Sequence, residues 1–187
     1  MELPVDLTLE NERVRLSPLT KKDHDQLVSI CLPYPKLTQY SPYLLDSPEA
    51  IAAFIENRLS QKAAGLSFPF MIYDKNRLSY AGSSSYLNIS FAHSRLEIGS
   101  TFITPSFQGT GLNRHMKQLM LSYAFDKLNM ERVELKGDVR NIQSIKAIEK
   151  LGATYEGALR SHTLLADGHR RDTFYYSILR SEWIAGQ

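Results

Sequence analysis

Gly109 and Gly111 stand two residues apart at the entrance to a strongly amphipathic run. Leu112, Met116, Leu119, Met120 and Tyr123 recur at spacings of three and four, which is one apolar face of a helix. Arg114, His115, Lys117 and Gln118 fall on the remaining, solvent-facing surface. The charges run against the helix dipole. Arg114 and Lys117 sit at the N-terminal end, where acids are favoured, and no acid appears before Asp126. An anion bound at that end removes the conflict, and glycines let backbone N–H groups converge on a phosphate there. Gln108-Gly109-Thr110-Gly111-Leu112-Asn113 is therefore read as a pyrophosphate cradle. A glycine turn leading into an ordinary core helix fits the same residues. A P-loop would end in Gly-Lys-Ser/Thr, and that lysine is missing. A dinucleotide fingerprint needs a third glycine where Arg114 stands.

The elements that must position this loop can be read in chain order. Arg13 to Leu19 alternates as a strand, and Thr20 caps a helix from about Lys21 to Ile30 with Leu27, Ile30 and Cys31 inward. Residues 32–48 hold Pro33, Pro35, Pro42 and Pro48 together with Tyr34, Tyr40 and Tyr43. This is either a lid packed on the core or a wall for a small ligand, with Tyr34 and Tyr40 as its binding residues. Ser47 and Pro48 open a helix that runs to about Ala64. Strands follow at Phe68–Tyr73, Leu78–Leu87 and Leu96–Ile103, and Gly82 marks a twist or a close approach. After the glycine loop and its helix, Arg132–Lys136 is a strand. Asn141 then starts a helix with Ile142, Ile145, Ile148 and Leu151 inward and Gly152 as its stop. Thr154–Ala166 and Arg170–Leu179 flank Asp167-Gly168, a hairpin signal. The order implies a mixed sheet with helices on both faces.

Composition excludes several classes. The 187 residues suit one domain spanning 1–187. A net charge of +2 gives no reason to expect a nucleic-acid partner. A single cysteine, Cys31, permits no internal disulfide and reads as a small buried apolar residue. The five histidines are scattered without ligand spacing, so no metal is expected. Met1-Glu2-Leu3-Pro4-Val5-Asp6 lacks the regions of a signal peptide, and no apolar run spans a bilayer. A cytoplasmic protein without a membrane partner is expected.

The Gln108–Asn113 loop resembles the acyl-CoA motif of the GNAT N-acetyltransferases, Gln/Arg-x-x-Gly-x-Gly/Ala, with Asn113 in place of the last small residue. Asn141-Ile142-Gln143-Ser144 followed by Glu149-Lys150-Leu151-Gly152 is similar to a second signature, that of the RimJ/RimL-like branch. The resemblance covers Arg13 to Trp183. It implies an α/β (α+β) fold with a mixed, mostly antiparallel seven-stranded sheet and about four helices. It implies acetyl-CoA as co-substrate. Its pyrophosphate would lie on Gln108, Gly109, Thr110, Gly111, Leu112 and Asn113, and its pantetheine along the backbone of Phe102, Ile103 and Thr104. Asn141, Ser144, Lys146 and Lys150 would supply further contacts, although Asn141 also reads as a helix cap and both lysines as solvated surface charges.

Glu97 occupies the position resembling the family's catalytic base, and equally reads as a strand glutamate paired with an arginine. Ile148 stands where many members carry an acidic tyrosine, so Ser144 is left as candidate proton donor; it reads too as a capping or CoA-contacting hydroxyl. The implied reaction is direct attack, in a ternary complex, of a primary amine on the thioester. The acceptor would be a protein N-terminus or a small molecule. A non-catalytic acyl-CoA-binding module is the alternative, and a homodimer is compatible with either.

Overall fold

The computed structural model describes residues 3–186; Met1 and Glu2, the start of the stretch read as lacking a signal peptide, and Gln187 lie outside the described residues. The elements are β1 (Leu9–Glu10), β2 (Val14–Pro18), α1 (His24–Cys31), α2 (Pro48–Ala63), β3 (Ser67–Asp74), β4 (Ser79–Ser90), β5 (Arg95–Ile103), α3 (Leu112–Ser122), β6 (Arg132–Asp138), α4 (Ile142–Glu149), β7 (Thr154–Leu164), β8 (Arg170–Leu179) and α5 (Arg180–Ala185). One eight-stranded sheet runs β1-β2-β3-β4-β5-β6-β8-β7. Every pairing is antiparallel except β5 with β6. The sheet thus has one strand more than expected, and α5 adds a helix. β1 is two residues long and α5 six, both too short to show a period.

Strand alternation divides the core in two. On one face Leu96, Ile98, Val133, Leu135, Phe174, Tyr176 and Ile178 pack with Leu112, Met116 and Met120 of α3. On the other, Met71 and Phe102 pack with Leu27 and Cys31 of α1 and with Ile51, Phe54 and Ile55 of α2. Alternate residues of β6 and β8 belong to this second face: Glu134 and Lys136, then Arg171, Thr173, Tyr175 and Ser177.

Local signals explain the element starts. The Ser47 hydroxyl accepts from the Ala50 N–H at 3.1 Å, and Pro48 fills the first turn of α2. The Asp167 carboxylate accepts from the His169 N–H at 2.9 Å and Gly168 takes a φ of 82°, which closes the β7–β8 hairpin. At Gly82 a Cβ would lie 2.0 Å from the Phe102 carbonyl oxygen, so β4 and β5 approach here as only glycine allows. Ile142, expected inward, is 54% exposed, because it is the first residue of α4 and lies above the packed face.

Candidate functional site

The site begins where two strands part. β5 and β6 pair only at Arg95–Arg132, Leu96–Val133 and Glu97–Glu134, although β5 runs on to Ile103 and β6 to Asp138. Beyond Glu97 the β5 backbone groups that face β6 have no strand partner. Backbone groups left this way need another donor or acceptor if water is excluded. β5 also bulges at this point. Ser100 and Thr101 together oppose Ser84, and Ser100 takes a left-handed φ of 49°. The extra residue turns Ser100 toward the α1–α2 side, where its hydroxyl meets the Tyr43 hydroxyl at 2.6 Å. Thr101 turns toward α3, where its hydroxyl accepts from Lys117 Nζ at 2.9 Å and lies 2.7 Å from Ser84 Oγ.

The three backbone positions expected to meet pantetheine are not equivalent. The Thr104 N–H donates to the Ala81 carbonyl at 2.9 Å, so Thr104 faces β4. Antiparallel alternation turns Phe102 the same way and Ile103 toward the opening. The Ile103 carbonyl accepts from Gln108 Nε2 at 2.8 Å, and Gln108 Oε1 accepts from Gln143 Nε2 at 3.0 Å. Gln108 therefore ties the end of β5 to α4.

The glycine loop follows. Gly109 and Gly111 have φ values of 73° and 86°, and a Cβ on either would enter open space. Gly111 caps α3 without a side-chain hydrogen bond, and the first helical bond is His115 N–H to the Gly111 carbonyl at 3.2 Å. Among the described residues the N–H groups of Gly109 to Arg114 meet no partner. The Thr110 hydroxyl donates instead to the Phe107 carbonyl at 2.7 Å. Six N–H groups without a partner at a helix start, beside two glycines whose Cβ positions are open, suit a diphosphate in charge, so the loop fits the group that the sequence implied. Asn113 is half-buried in the first turn of α3, and Arg114 is exposed. α4 begins beside this loop. Asn141 Oδ1 accepts from the Ser144 N–H at 3.1 Å, so Asn141 is the helix cap. Lys146 is exposed on α4, and Lys150 is exposed at its C-cap.

Glu97 lies at the fork and is 2% exposed. Its Oε2 is 2.8 Å from Lys136 Nζ and accepts from Asn88 Nδ2 at 2.8 Å, so the expected arginine partner is a lysine. Its Oε1 leans toward Gly99, where a Cβ would come within 2.5 Å. Burial pulls the Lys136 ammonium down, but the charge and hydrogen bond of Glu97 more than reverse this, and its pKa ends above the usual lysine value. Lys136 also lies 5.6 Å from the Tyr175 ring centroid. Further along the same face, Asp138 is bound by Arg140 at 2.7 Å. Burial alone would raise the Asp138 carboxyl; hydrogen bonds and charge from Arg140 bring it below the usual range.

One expectation fails on the other face. Lys117 does not point to solvent. It is 6% exposed beneath Thr101, and burial drops its pKa to about 7 against the attraction of Glu97. The polar surface of α3 is narrower than its charges suggest, because the parting of β5 from β6 admits a long side chain. Cys31 is buried and its thiol is pushed up to about 12, which suits a packing role. Ile148 is 6% exposed within the α3-side core.

The tyrosine loop reaches the site at two points. The Tyr40 carbonyl accepts from an Arg171 Nη at 3.2 Å, and the Arg140 guanidinium sits 5.6 Å from the Tyr40 ring centroid. Tyr43 bonds Ser100 and packs tilted against Phe54, with ring centroids 4.9 Å apart. Tyr34 is half-buried, and the contact that fixes it is its N–H to the Cys31 carbonyl at 2.9 Å, away from Glu97. Tyr43 was read from sequence as part of the loop but not as a binding residue, and Ser100, Lys136, Tyr175 and Arg171 were not singled out. The period-two alternation of β6 and β8 carried a signal for the last three; nothing local marked Ser100.

The sheet thus opens beside a loop of unpartnered N–H groups, with a buried carboxylate at the fork. The family model described as "Acetyltransferase (GNAT) domain" matches residues 13–154, and the chain belongs to that family. YdaF of Bacillus subtilis (strain 168), provisionally named a ribosomal N-acetyltransferase, is 26% identical over 183 residues, covering 92% of this chain and 94% of its own. The spermidine N(1)-acetyltransferase of Escherichia coli (strain K12) is 30% identical over 105 residues, 56% of this chain and 55% of its own. The crystal structure of a provisionally named acetyltransferase from T. thermophilus superposes with a TM-score of 0.87 at 31% identity, covering 98% of this chain and 94% of that one. These relatives agree with the RimJ/RimL-like branch and with acetyl transfer to an amine. Among the described residues no helix is long and apolar enough to cross a membrane.

Proposed function

We propose that acetyl-CoA enters the opening between β5 and β6 and that a primary amine, approaching from the α1–α2 side, attacks its thioester directly in a ternary complex. The observation that carries this reading is the unpaired stretch of β5 beyond Glu97, which ends at six unpartnered N–H groups on the glycine loop. The loop takes the diphosphate and the Ile103 backbone takes the pantetheine amide. Glu97 accepts the proton of the acceptor ammonium through a water. The C–N bond forms and the C–S bond breaks, and the second proton lost by the nitrogen is relayed through the Ser144 hydroxyl or a water to the departing thiolate, so that the relay group is left protonated as it began. Holding the two reactants together supplies up to about 7–11 kcal/mol. Proton transfer adds about 10²–10⁴ in rate, or about 3–5 kcal/mol, so positioning is the larger share.

Acetyl-CoA is expected to raise the melting temperature, by about 5–10 °C at a hundredfold excess over its dissociation constant. Gly111→Val is expected to abolish that shift, since a branched residue at a φ of 86° strains the backbone that presents the N–H groups and adds bulk to the open space beside the loop. Thermal melts with and without ligand decide the matter. No shift in the parent at millimolar acetyl-CoA removes the reading.

The tyrosine loop is the acceptor wall in this scheme. Tyr40→Ala is expected to raise the acceptor KM severalfold with little change in the acetyl-CoA KM, because it removes the ring that faces the Arg140 guanidinium and leaves the main-chain carbonyl that holds Arg171. Tyr34→Ala is expected to do less. Equal losses for both substrates, with a lowered Tm, would reduce the loop to packing.

A further inference from the structure

Arg171 on β8 is 8% exposed and lies on the same face as Lys136 and Tyr175. Its partners are all neutral. Nε donates to Thr173 Oγ1 at 3.0 Å, one Nη donates to the Tyr40 carbonyl at 3.2 Å, and the other lies 3.5 Å from Thr163 Oγ1. Among the described residues no carboxylate lies within salt-bridge distance of it.

The acids whose charge reaches Arg171 are Asp138 and Glu97. Each is already taken: Asp138 by Arg140 at 2.7 Å and Glu97 by Lys136 at 2.8 Å. Both carboxylates whose charge reaches Arg171 are thus paired with other cations, and Arg171 has no ion-pair partner of its own among the described residues. A buried charge without a counter-ion is costly, which burial registers here by lowering the Arg171 pKa. With Nε on Thr173 and one N–H of each Nη near a neutral oxygen, the guanidinium keeps a second N–H on each Nη. Together these form an edge shaped for a planar anion with two oxygens. The Tyr40 carbonyl, on the loop that walls the cleft, holds this edge in place until an anion arrives.

We propose that Arg171 selects the acceptor: it takes a carboxylate carried by the amine substrate, so the preferred acceptors are aminocarboxylates. This rests on the reading that the amine binds on the α1–α2 face near Glu97. A polyamine would bring further positive charge to a site that already holds an unpaired cation, and is disfavoured for the same reason.

The test compares each acceptor with its own carboxamide. Glycine, β-alanine, 4-aminobutanoate and 6-aminohexanoate are assayed as free acids and as amides, with spermidine alongside, by release of free thiol from acetyl-CoA. For at least one chain length the free acid is expected to exceed its amide in kcat/KM by about 10- to 100-fold, the usual range for one charge-assisted hydrogen-bonded pair. The optimal length reports the distance from the transferring nitrogen to Arg171. In Arg171→Met that ratio should fall toward one, and in Arg171→Lys it should be intermediate, because an ammonium keeps the charge and loses the fork. Acid-to-amide ratios near one in the parent at every length overturn the proposal without needing any variant, as does a ratio that survives in a folded Arg171→Met. Faster transfer to spermidine than to any acid overturns it as well and leaves acetyl transfer standing. If acetyl-CoA binds but no amine accepts the acetyl group, the ternary-complex reading falls and this proposal with it.

Discussion

Glu97→Gln is expected to lower turnover by about 10²–10⁴ while acetyl-CoA still binds. The substitution keeps the shape of the side chain and its hydrogen-bond acceptor, and takes away the charge that faces Lys136. Lys136 Nζ and Asn88 Nδ2 both donate to Oε2 at 2.8 Å, and a glutamine carbonyl accepts from either. Volume is conserved in a side chain that is 2% exposed, so the packing beside Gly99 is kept. What disappears is the group that can take a proton. The acid limb of the pH–rate profile should therefore flatten in the variant, and the acetyl-CoA-induced rise in Tm should remain.

The neighbouring carboxylates are weaker candidates. Glu134 is bonded by Arg132 at 3.0 Å, and Asp138 is held below the usual range by Arg140. Wild-type turnover in Glu97→Gln, with an unchanged acid limb, would leave Glu97 as no more than a partner for Lys136. Lys136→Met separates the two roles further. A base freed from its ammonium partner should change the pH profile, whereas a purely structural pair should change only stability.

How far the chain could be read without coordinates depended on periodicity. Every element long enough to show a repeat was legible, including the hairpin at Asp167-Gly168 and the capped starts at Ser47 and Asn141, because each is set by residues within one or two turns. The glycine loop was legible for the same reason. The fork between β5 and β6 was not, since parallel pairing that stops at Glu97–Glu134 depends on what β8 and α3 do elsewhere. The bulge at Ser100 is likewise invisible locally: a serine at a φ of 49° has no sequence signature of its own. These two features decide which side chains meet. They send Tyr43 rather than Tyr34 to the bulge, bring Lys136 to Glu97, and draw Lys117 inward. Strand alternation puts Arg171 on the Lys136 face, but its contact with the Tyr40 carbonyl depends on how the 32–48 loop folds and has no local signature.

Lys117→Met is expected to stabilise the protein below neutral pH. The lysine is buried against Thr101 with no carboxylate in contact, and its pKa in the fold is about 7 against roughly 10.4 for a free side chain. Below pH 7 both folded and unfolded chains carry the proton, and the fold bears the full cost of the buried charge. Between about 7 and 10.4 the unfolded chain binds a proton that the folded chain does not, so this lysine makes stability rise with pH, by at most about 1.4 kcal/mol per unit. Methionine has similar length and no charge, and Thr101 keeps the Ser84 hydroxyl at 2.7 Å. The variant should gain a few kcal/mol at about pH 6, on the order set by that window, and the gain should shrink steadily toward about pH 10. Urea midpoints at about pH 6, 8 and 9.5 measure it directly. A gain independent of pH would mean that Lys117 keeps an ordinary pKa in the fold. A loss at the lowest pH would mean that the attraction of Glu97 outweighs the burial, and that the two charges across the fork hold each other in place.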